Sequence, residues 1–287
     1  MAVPNVLKVI ASELLTRHPR KRLPEPHLVM DDAAQVQAFL EAGSERGSLA
    51  PLYVFNTALA SPLIRPGDLV VDLACGPANQ LAQIAAVNPD ARFIGVDLSP
   101  EMLKRAEGVV QRHNLSNVEF KVSDLSKLDR FADRSVDVLI STLALHHLPD
   151  RSTLVDSFIE FARVLKPDGR VYFSDLGCLR SERAVAEFAN QYADRQPEVF
   201  NVDYLNSLLA AFGLADFRLA IQPLGSRVRL YSTFVVPYLM VVKSPDPVVL
   251  DEVRTQRIQS IERTLPAHQK ADLRLLRMFF RLGGLKC

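Results

Sequence analysis

The chain has 287 residues, an apolar fraction of 48% and a near-balance of 34 Lys+Arg against 33 Asp+Glu. That is enough apolar matter for one large α/β domain with helical additions, and the overall charge gives no sign of a polyanion partner such as nucleic acid. Three cysteines without metal-like spacing exclude a disulfide framework or zinc ribbon and suit a reducing, cytoplasmic setting.

From the N-terminus, residues 1–64 read as helical and irregular, an expected cap or lid. A Pro- and Arg-rich break runs from His18 to Pro26, followed by a short amphipathic helix over Ala33–Ala42. The first residues lack the basic region and cleavage site of a signal peptide. No uncharged stretch approaches the roughly 18 to 20 apolar residues of a membrane span.

Residues 65–245 carry an alternation of strand and helix. Asp68–Asp72 predicts a buried strand and 78–87 a helix with Leu81, Ile84 and Ala85 on one face. Arg92–Asp97 is a second strand, and Ser99-Pro100 starts a helix, Ser as cap and Pro in the first turn. Val118, Phe120 and Val122 alternate as in a half-buried strand, Ser135–Thr142 forms a fourth strand, and Leu154, Phe158, Phe161 and Leu165 mark a helix face. Lys166-Pro167-Asp168-Gly169 is a turn signal before a fifth strand at Arg170–Ser174. A helical insertion is expected at 178–212. Two strand-like runs, Phe217–Ile221 and Thr233–Val242, have no room between them for a crossover helix and predict a hairpin with one antiparallel edge strand. Residues 246–287 read as a helical extension. Its segment from Gln269 to Leu282 is amphipathic and basic, suited to packing on the core, to a second subunit in a homodimer, or to weak association with a membrane surface. The pattern predicts a doubly wound, Rossmann-like, mostly parallel sheet with right-handed crossovers.

In such a sheet, ligands bind beyond the carboxyl ends of the strands. Three consecutive strands deliver an acid there: Asp72, Asp97 and Asp124. Gly76 lets backbone approach a ligand. Asp97 stands about 20 residues beyond it, where such folds place an acid for ribose hydroxyls. Asp124 suits an exocyclic amine such as that of adenine, and Asp72 the amino group of an amino-acid moiety. The set fits a ligand with a ribose, an adenine and a cationic amine and no phosphate.

Val70-Val71-Asp72-Leu73-Ala74-Cys75-Gly76-Pro77-Ala78 resembles the first motif of class I S-adenosylmethionine-dependent methyltransferases, and Phe93–Ser99 resembles the segment that follows it. Leu143–Asp150 and Leu165–Arg170 resemble later motifs of the small-molecule branch, in the manner of ubiquinone and menaquinone methyltransferases. The resemblance implies a seven-stranded sheet and S-adenosyl-L-methionine as cofactor. It implies Asp72 and the Ala74–Gly76 loop at the methionine part, Asp97 and Leu98 at the ribose, Met102, Asp124 and Leu125 at adenine, and Thr142 at the end of the fourth strand nearby. Ala74 and Ala78 stand where the family carries flanking glycines.

His146 and His147 follow the fourth strand, where the reactive methyl belongs, and are candidates for a general base or for orienting an acceptor. Tyr53 is a candidate to close over the sulfonium or the acceptor, its alternative being ordinary packing. Cys75 reads as a small side chain in the loop. The segment after the fourth strand lacks the Asn/Asp-Pro-Pro-Tyr/Phe signal of amide and nucleobase amine methylation. The expected reaction is therefore methylation of an O or C atom of a small, partly apolar metabolite, with no metal and no nucleic acid. A protein or RNA methyltransferase and a non-catalytic binding protein of the same fold are the alternatives. A nicotinamide oxidoreductase is opposed by Asp72 and by the single glycine.

Overall fold

The computed structural model describes residues 6–27, 29–30, 32–191, 193 and 195–287. Three helices come first: α1 (Val6–Leu15), α2 (Ala33–Ala42) and α3 (Ala50–Ala60). The alternating region follows as β1 (Leu69–Leu73), α4 (Asn79–Val87), β2 (Arg92–Asp97), α5 (Pro100–Arg112), β3 (Val118–Val122), β4 (Val136–Thr142), α6 (Arg151–Val164) and β5 (Leu165–Leu176). Then come α7 (Glu182–Ala189), α8 (Glu198–Ala210), α9 (Leu214–Ala220), β6 (Arg229–Ser232), β7 (Leu239–Lys243), α10 (Glu252–Thr264) and α11 (Ala267–Leu282).

The strands form one seven-stranded sheet in the order β3-β2-β1-β4-β5-β7-β6. The first five are parallel to their neighbours, and β7 runs antiparallel to both β5 and β6. This is the mixed, Rossmann-like sheet expected, with its antiparallel member at the β6 end. The chain leaves β1 toward one side and β4 toward the other, so the order reverses between them and opens a crevice at their carboxyl ends. Parallel strands are covered on both faces, which is why β1, β2 and β4 are nearly unbroken apolar runs. Val70, Val71, Leu73, Val138, Leu139 and Ile140 are all fully buried.

Two expectations for the alternating region are corrected. Phe217–Ile221 is not a strand: most of it lies in α9, where the Asp216 carboxylate accepts the Gly213 N–H at 2.9 Å. The helix buries Phe217 and Ala220, three residues apart, a spacing that a short apolar run shares with a strand. The hairpin partner of β7 is instead Arg229–Ser232, and the first six residues of the Thr233–Val242 run form the hairpin tip. Lys166–Gly169 does not precede the fifth strand but bulges within it. Pairing with β4 jumps from Val136↔Leu165 to Val138↔Arg170, leaving four residues unpaired.

The N- and C-terminal helices pack on each other over one face of the sheet. Phe55 of α3 stacks on Phe280 of α11 with ring centroids 5.0 Å apart. A buried polar chain ties α3 to α4 and β5: Tyr172 donates to Asn56 Oδ1, Asn56 to Gln80 Oε1, and Gln80 to Thr57 Oγ1 and the Tyr53 carbonyl. The α1 helix is fixed by Glu13, whose buried carboxylate accepts the backbone N–H groups of Arg180 and Ser181 at 2.9 and 2.8 Å.

Candidate functional site

Two of the strand-end acids, Asp72 and Asp97, meet at the crevice. Asp97 accepts the N–H of Gly76 at 2.8 Å through Oδ2 and that of Ser99 at 2.9 Å through Oδ1, so it clamps the β1–α4 loop to the end of β2. Asp72 is buried and has no hydrogen-bond partner among the described residues. Burial, and then the nearby charge of Asp97, push its carboxyl well above the ordinary range. An acid in that condition stays ionised only beside a cation and otherwise takes up a proton, and the residues around it supply no cation. Ser99 caps α5 by accepting the Met102 N–H, which leaves Met102 buried at the first turn behind Leu98. Asp124 Oδ1 accepts from the N–H and hydroxyl of Ser126, with Leu125 half-buried beside it. Thr142 ends β4, paired to Ser174 of β5.

The loop after β1 explains the family's glycines. Ala74, Gly76 and Ala78 all have left-handed backbone, with φ of 52°, 54° and 62°. A side chain at such a φ is strained, so two of the three positions carry a methyl group at a conformational cost. Replacing the half-buried Ala74 by Gly is expected to raise unfolding stability by about 1 kcal/mol, read from urea melts; no change would mean the loop relaxes around the methyl. Cys75 packs against β2, its Sγ only 2.8 Å from where a Cβ on Gly95 would stand.

Beyond β4 a 3₁₀ turn, Leu145–His147, presents the histidine pair. His146 Nδ1 lies 2.6 Å from Asp175 Oδ1, and its backbone N–H donates to Asp175 Oδ2 at 3.1 Å. Asp175 is buried and fixes the ring, so the second nitrogen, Nε2, points away from it without a hydrogen-bond partner. Burial alone would lower the proton affinity of His146, but the charge and hydrogen bond of Asp175 outweigh it and the net shift is upward. His147 has no such acid of its own: burial, then the neighbouring His146, push it down to about 3, which keeps it neutral.

Arg22, from the Pro- and Arg-rich break, holds this turn in place. Its guanidinium donates to the carbonyls of Ala210, Pro149, His146 and Leu148 and stacks on the Phe212 ring 3.9 Å away. Glu25 follows it into the site, with Oε1 3.9 Å from His146 Nε2 and hydrogen-bonded to the Ser207 hydroxyl at 2.8 Å. Glu25, His146 and His147 bring one metal-competent atom each within 4.8 Å of one another. The adjacent Arg22 cation works against a metal ion there.

The two histidines open on a cavity of about 230 Å³. Its wall comes from α1, α2, the start of α3, α7, α8, α11 and the hairpin tip, and Phe39 of α2 stands both in that wall and beside Gly76 of the strand-end loop. Among the described residues, seven Phe or Tyr rings line it (Phe39, Phe188, Phe200, Tyr204, Phe234, Tyr238 and Phe279) and no Lys, Arg or Cys does. Tyr53 is not in this wall. It is buried with its hydroxyl against Gly43, and burial together with the Asp72 charge raises its pKa.

Of the positions singled out from the sequence, Asp72, Gly76 and Asp97 form one cluster and His146 with His147 another. Asp175, Arg22, Glu25 and Phe39 were not singled out. The strand-end rule that selected Asp72 and Asp97 also selects Asp175, which closes Ser174-Asp175-Leu176 at the end of β5.

Residues 64–211, just over half of the chain, match the family described as a methyltransferase domain. The chain belongs to that family, and its fold is that of the class I, S-adenosylmethionine-dependent enzymes. More particular likenesses are partial. An arsenite methyltransferase of Halobacterium salinarum is 38% identical over 112 residues, covering 39% of this chain and 28% of that protein. A phosphoethanolamine N-methyltransferase of Triticum aestivum is 31% identical over 154 residues (53% and 29%), and a demethylmenaquinone methyltransferase of Lactobacillus johnsonii 32% identical over 110 residues (38% and 43%). The chain thus spans less than half the length of these relatives. Among solved structures, a SAM dependent methyltransferase from Aquifex aeolicus aligns with a TM-score of 0.54 at 20% identity, covering 75% of this chain and 98% of its own. The plantazolicin methyltransferase BpumL, in complex with a triazolic desmethylPZN analog and SAH, aligns at 0.56 and 14% identity over 82% and 87%.

Proposed function

We propose that the protein transfers the methyl group of S-adenosylmethionine to an oxygen or carbon atom of a small, partly apolar acceptor held in the cavity above His146 and His147. The observation that carries the cofactor half is Asp72, a buried and unpartnered acid beside Asp97, which the cofactor's ammonium group completes. Asp97 takes the ribose hydroxyls, Leu98, Met102, Asp124 and Leu125 receive the adenine, and the backbone of Ala74 to Gly76, with Thr142, borders the methionine part. When bound, the cofactor supplies a methyl group on a good leaving group, so the protein's task is to place the acceptor in line and to take its proton.

His146 takes that proton. Asp175 holds Nδ1 and leaves Nε2 free to accept, the arrangement in which an acid orients an imidazole base. His147 stays neutral and orients the acceptor, and Tyr53 shields the cofactor side of the site through its packing near Asp72. The lining argues for the acceptor class. Without a Lys or Arg in the wall, a phosphate or carboxylate on the acceptor has no counter-charge, and without a Cys there is no thiolate to hold a thiophilic ion. Aromatic and aliphatic walls suit a partly apolar acceptor, and the polar groups among them, Gln191, Gln196, Ser207, Thr233 and the carboxylates of Asp203 and Asp272, offer hydrogen bonds but no positive charge.

Calorimetry tests the cofactor half. S-adenosylmethionine is expected to bind the wild type and to bind Asp97→Ala about 100-fold or more weakly, the loss of two hydrogen bonds to a charged acceptor. Absence of binding by the wild type overturns the reading.

A further inference from the structure

At the tip of the β6–β7 hairpin the backbone turns in an unusual way. Val236 N–H donates to the Phe234 carbonyl at 2.8 Å across Val235, whose φ is 66°. This is a γ-turn of the rare, strained hand, built on a β-branched residue that disfavours left-handed backbone. Its effect is to hold two apolar side chains at the surface: Phe234, at the rim of the cavity, is 47% and Val235 43% exposed. The tip is anchored to α11 through the Phe234 N–H on the Phe279 carbonyl at 3.1 Å.

The neighbouring helix continues the surface. Along α11, Arg274, Met278, Arg281 and Leu282 are exposed at helical spacing on one stripe, while Leu275, Leu276 and Phe279 beside them line the acceptor cavity. On α1, Leu7 and Lys8 are exposed beside Val6, Val9 and Ile10, which also line it. Three elements therefore surround one cavity, and each turns apolar side chains to solvent next to those that face inward. Charge is segregated to the same elements. Residues 6–22 and 267–287 each carry five Lys or Arg against one acid, in a chain whose totals nearly cancel.

We propose that this rim docks on an anionic lipid surface, Phe234 and Val235 entering the interface while the exposed cations Arg17, Lys21, Arg274, Arg281 and Lys286 face the headgroups; Arg20, Arg22 and Arg277 are engaged within the fold. Apolar side chains interleaved with cations on one stripe are the composition of interfacial helices, and basic residues near an anionic surface add to binding individually. A second copy of the chain is a poorer occupant, since a two-fold contact through this rim brings like charges together. The docking stands on the rim alone. Its consequence, delivery of a lipid-soluble acceptor into the cavity from the bilayer, rests on the function proposed above.

Co-sedimentation of the full chain with vesicles tests it. The protein is expected to partition onto phosphatidylcholine/phosphatidylglycerol vesicles, much less onto phosphatidylcholine alone, and to be released by high salt. Phe234→Ser with Val235→Gly, and separately Arg274→Glu with Lys286→Glu, are each expected to lower partition at least about tenfold. Val235→Gly alone relieves the turn and is expected to melt at a higher temperature while binding vesicles less, an outcome that misfolding cannot produce. S-adenosylmethionine calorimetry on the same variants is expected to match the wild type, so a failed cofactor reading is told apart from a failed docking. Partition that is the same in wild type and variants, or independent of lipid charge, overturns the proposal. So does a concentration-dependent dimer that Phe234→Ser with Val235→Gly abolishes.

Discussion

Asp175→Asn is expected to lower kcat by a factor of about 10² to 10⁴ with little change in cofactor affinity, the range spanned by positioned proton transfer. The carboxylate accepts three hydrogen bonds at once, from the His146 ring at 2.6 Å, the His146 backbone N–H at 3.1 Å and the Leu176 N–H at 2.6 Å. An amide keeps the volume but can present its NH₂ to His146 Nδ1, which then carries the lone pair and leaves the proton on Nε2, the nitrogen that must accept. The pH profile separates this from a structural role. Asp175 is what raises His146 against the lowering effect of burial. A base works deprotonated, so wild-type kcat/KM rises with pH through an inflection above the ordinary histidine range near 6.5. In Asp175→Asn that inflection moves to lower pH while the plateau falls. A plateau lost with the inflection unmoved, or a profile flat in both proteins, rejects His146 as the base. The same pair bears on stability with the opposite slope. A histidine whose folded pKa is raised contributes stability that is present at low pH and is lost as pH rises through the folded pKa.

The fold was legible where the physics is local. β1, β2 and β4 are buried on both faces and announce themselves as apolar runs, and the Ser99-Pro100 start of α5 is a capping arrangement spelled in consecutive residues. Phe217–Ile221 was not legible, because two buried positions three apart within five residues satisfy either period. Only the Gly213–Asp216 contact decides for a helix. Lys166–Gly169 is turn-forming as its composition indicates, yet β5 resumes its pairing beyond it. The strand-end acids were legible because topology carries them to one edge whatever the side-chain detail. The second half of the site was less so. His146 and His147 follow from position, but the acid that orients His146 sits 29 residues on, and Arg22 and Glu25 reach it from over 120 residues upstream. Nothing in a Pro- and Arg-rich segment specifies which carbonyls its arginines will find.

Arg22→Ala is expected to cost about 3 kcal/mol of stability and, in a chain of this size, to lower Tm by roughly 5 to 10 °C. The guanidinium satisfies four carbonyls, three from the turn at 146–149 and that of Ala210, the last residue of α8. Each bond has a charged donor, worth more than a neutral pair, and each carbonyl loses its partner when the side chain is cut back. The planar stack on Phe212 is lost with them. Arg22→Lys is expected to recover less than half of the difference, since a single ammonium cannot reach four acceptors arranged around a planar fork. Because His146 is one of the residues held, activity falls further than stability alone explains: with the protein fully folded at low temperature, kcat still drops about tenfold while S-adenosylmethionine affinity at the Asp72–Asp97 cluster holds. Urea melts and kcat measured on the same preparations check both parts. A change in stability under about 0.5 kcal/mol would mean that water takes over the four carbonyls and that the N-terminal strap is not what fixes the histidine turn.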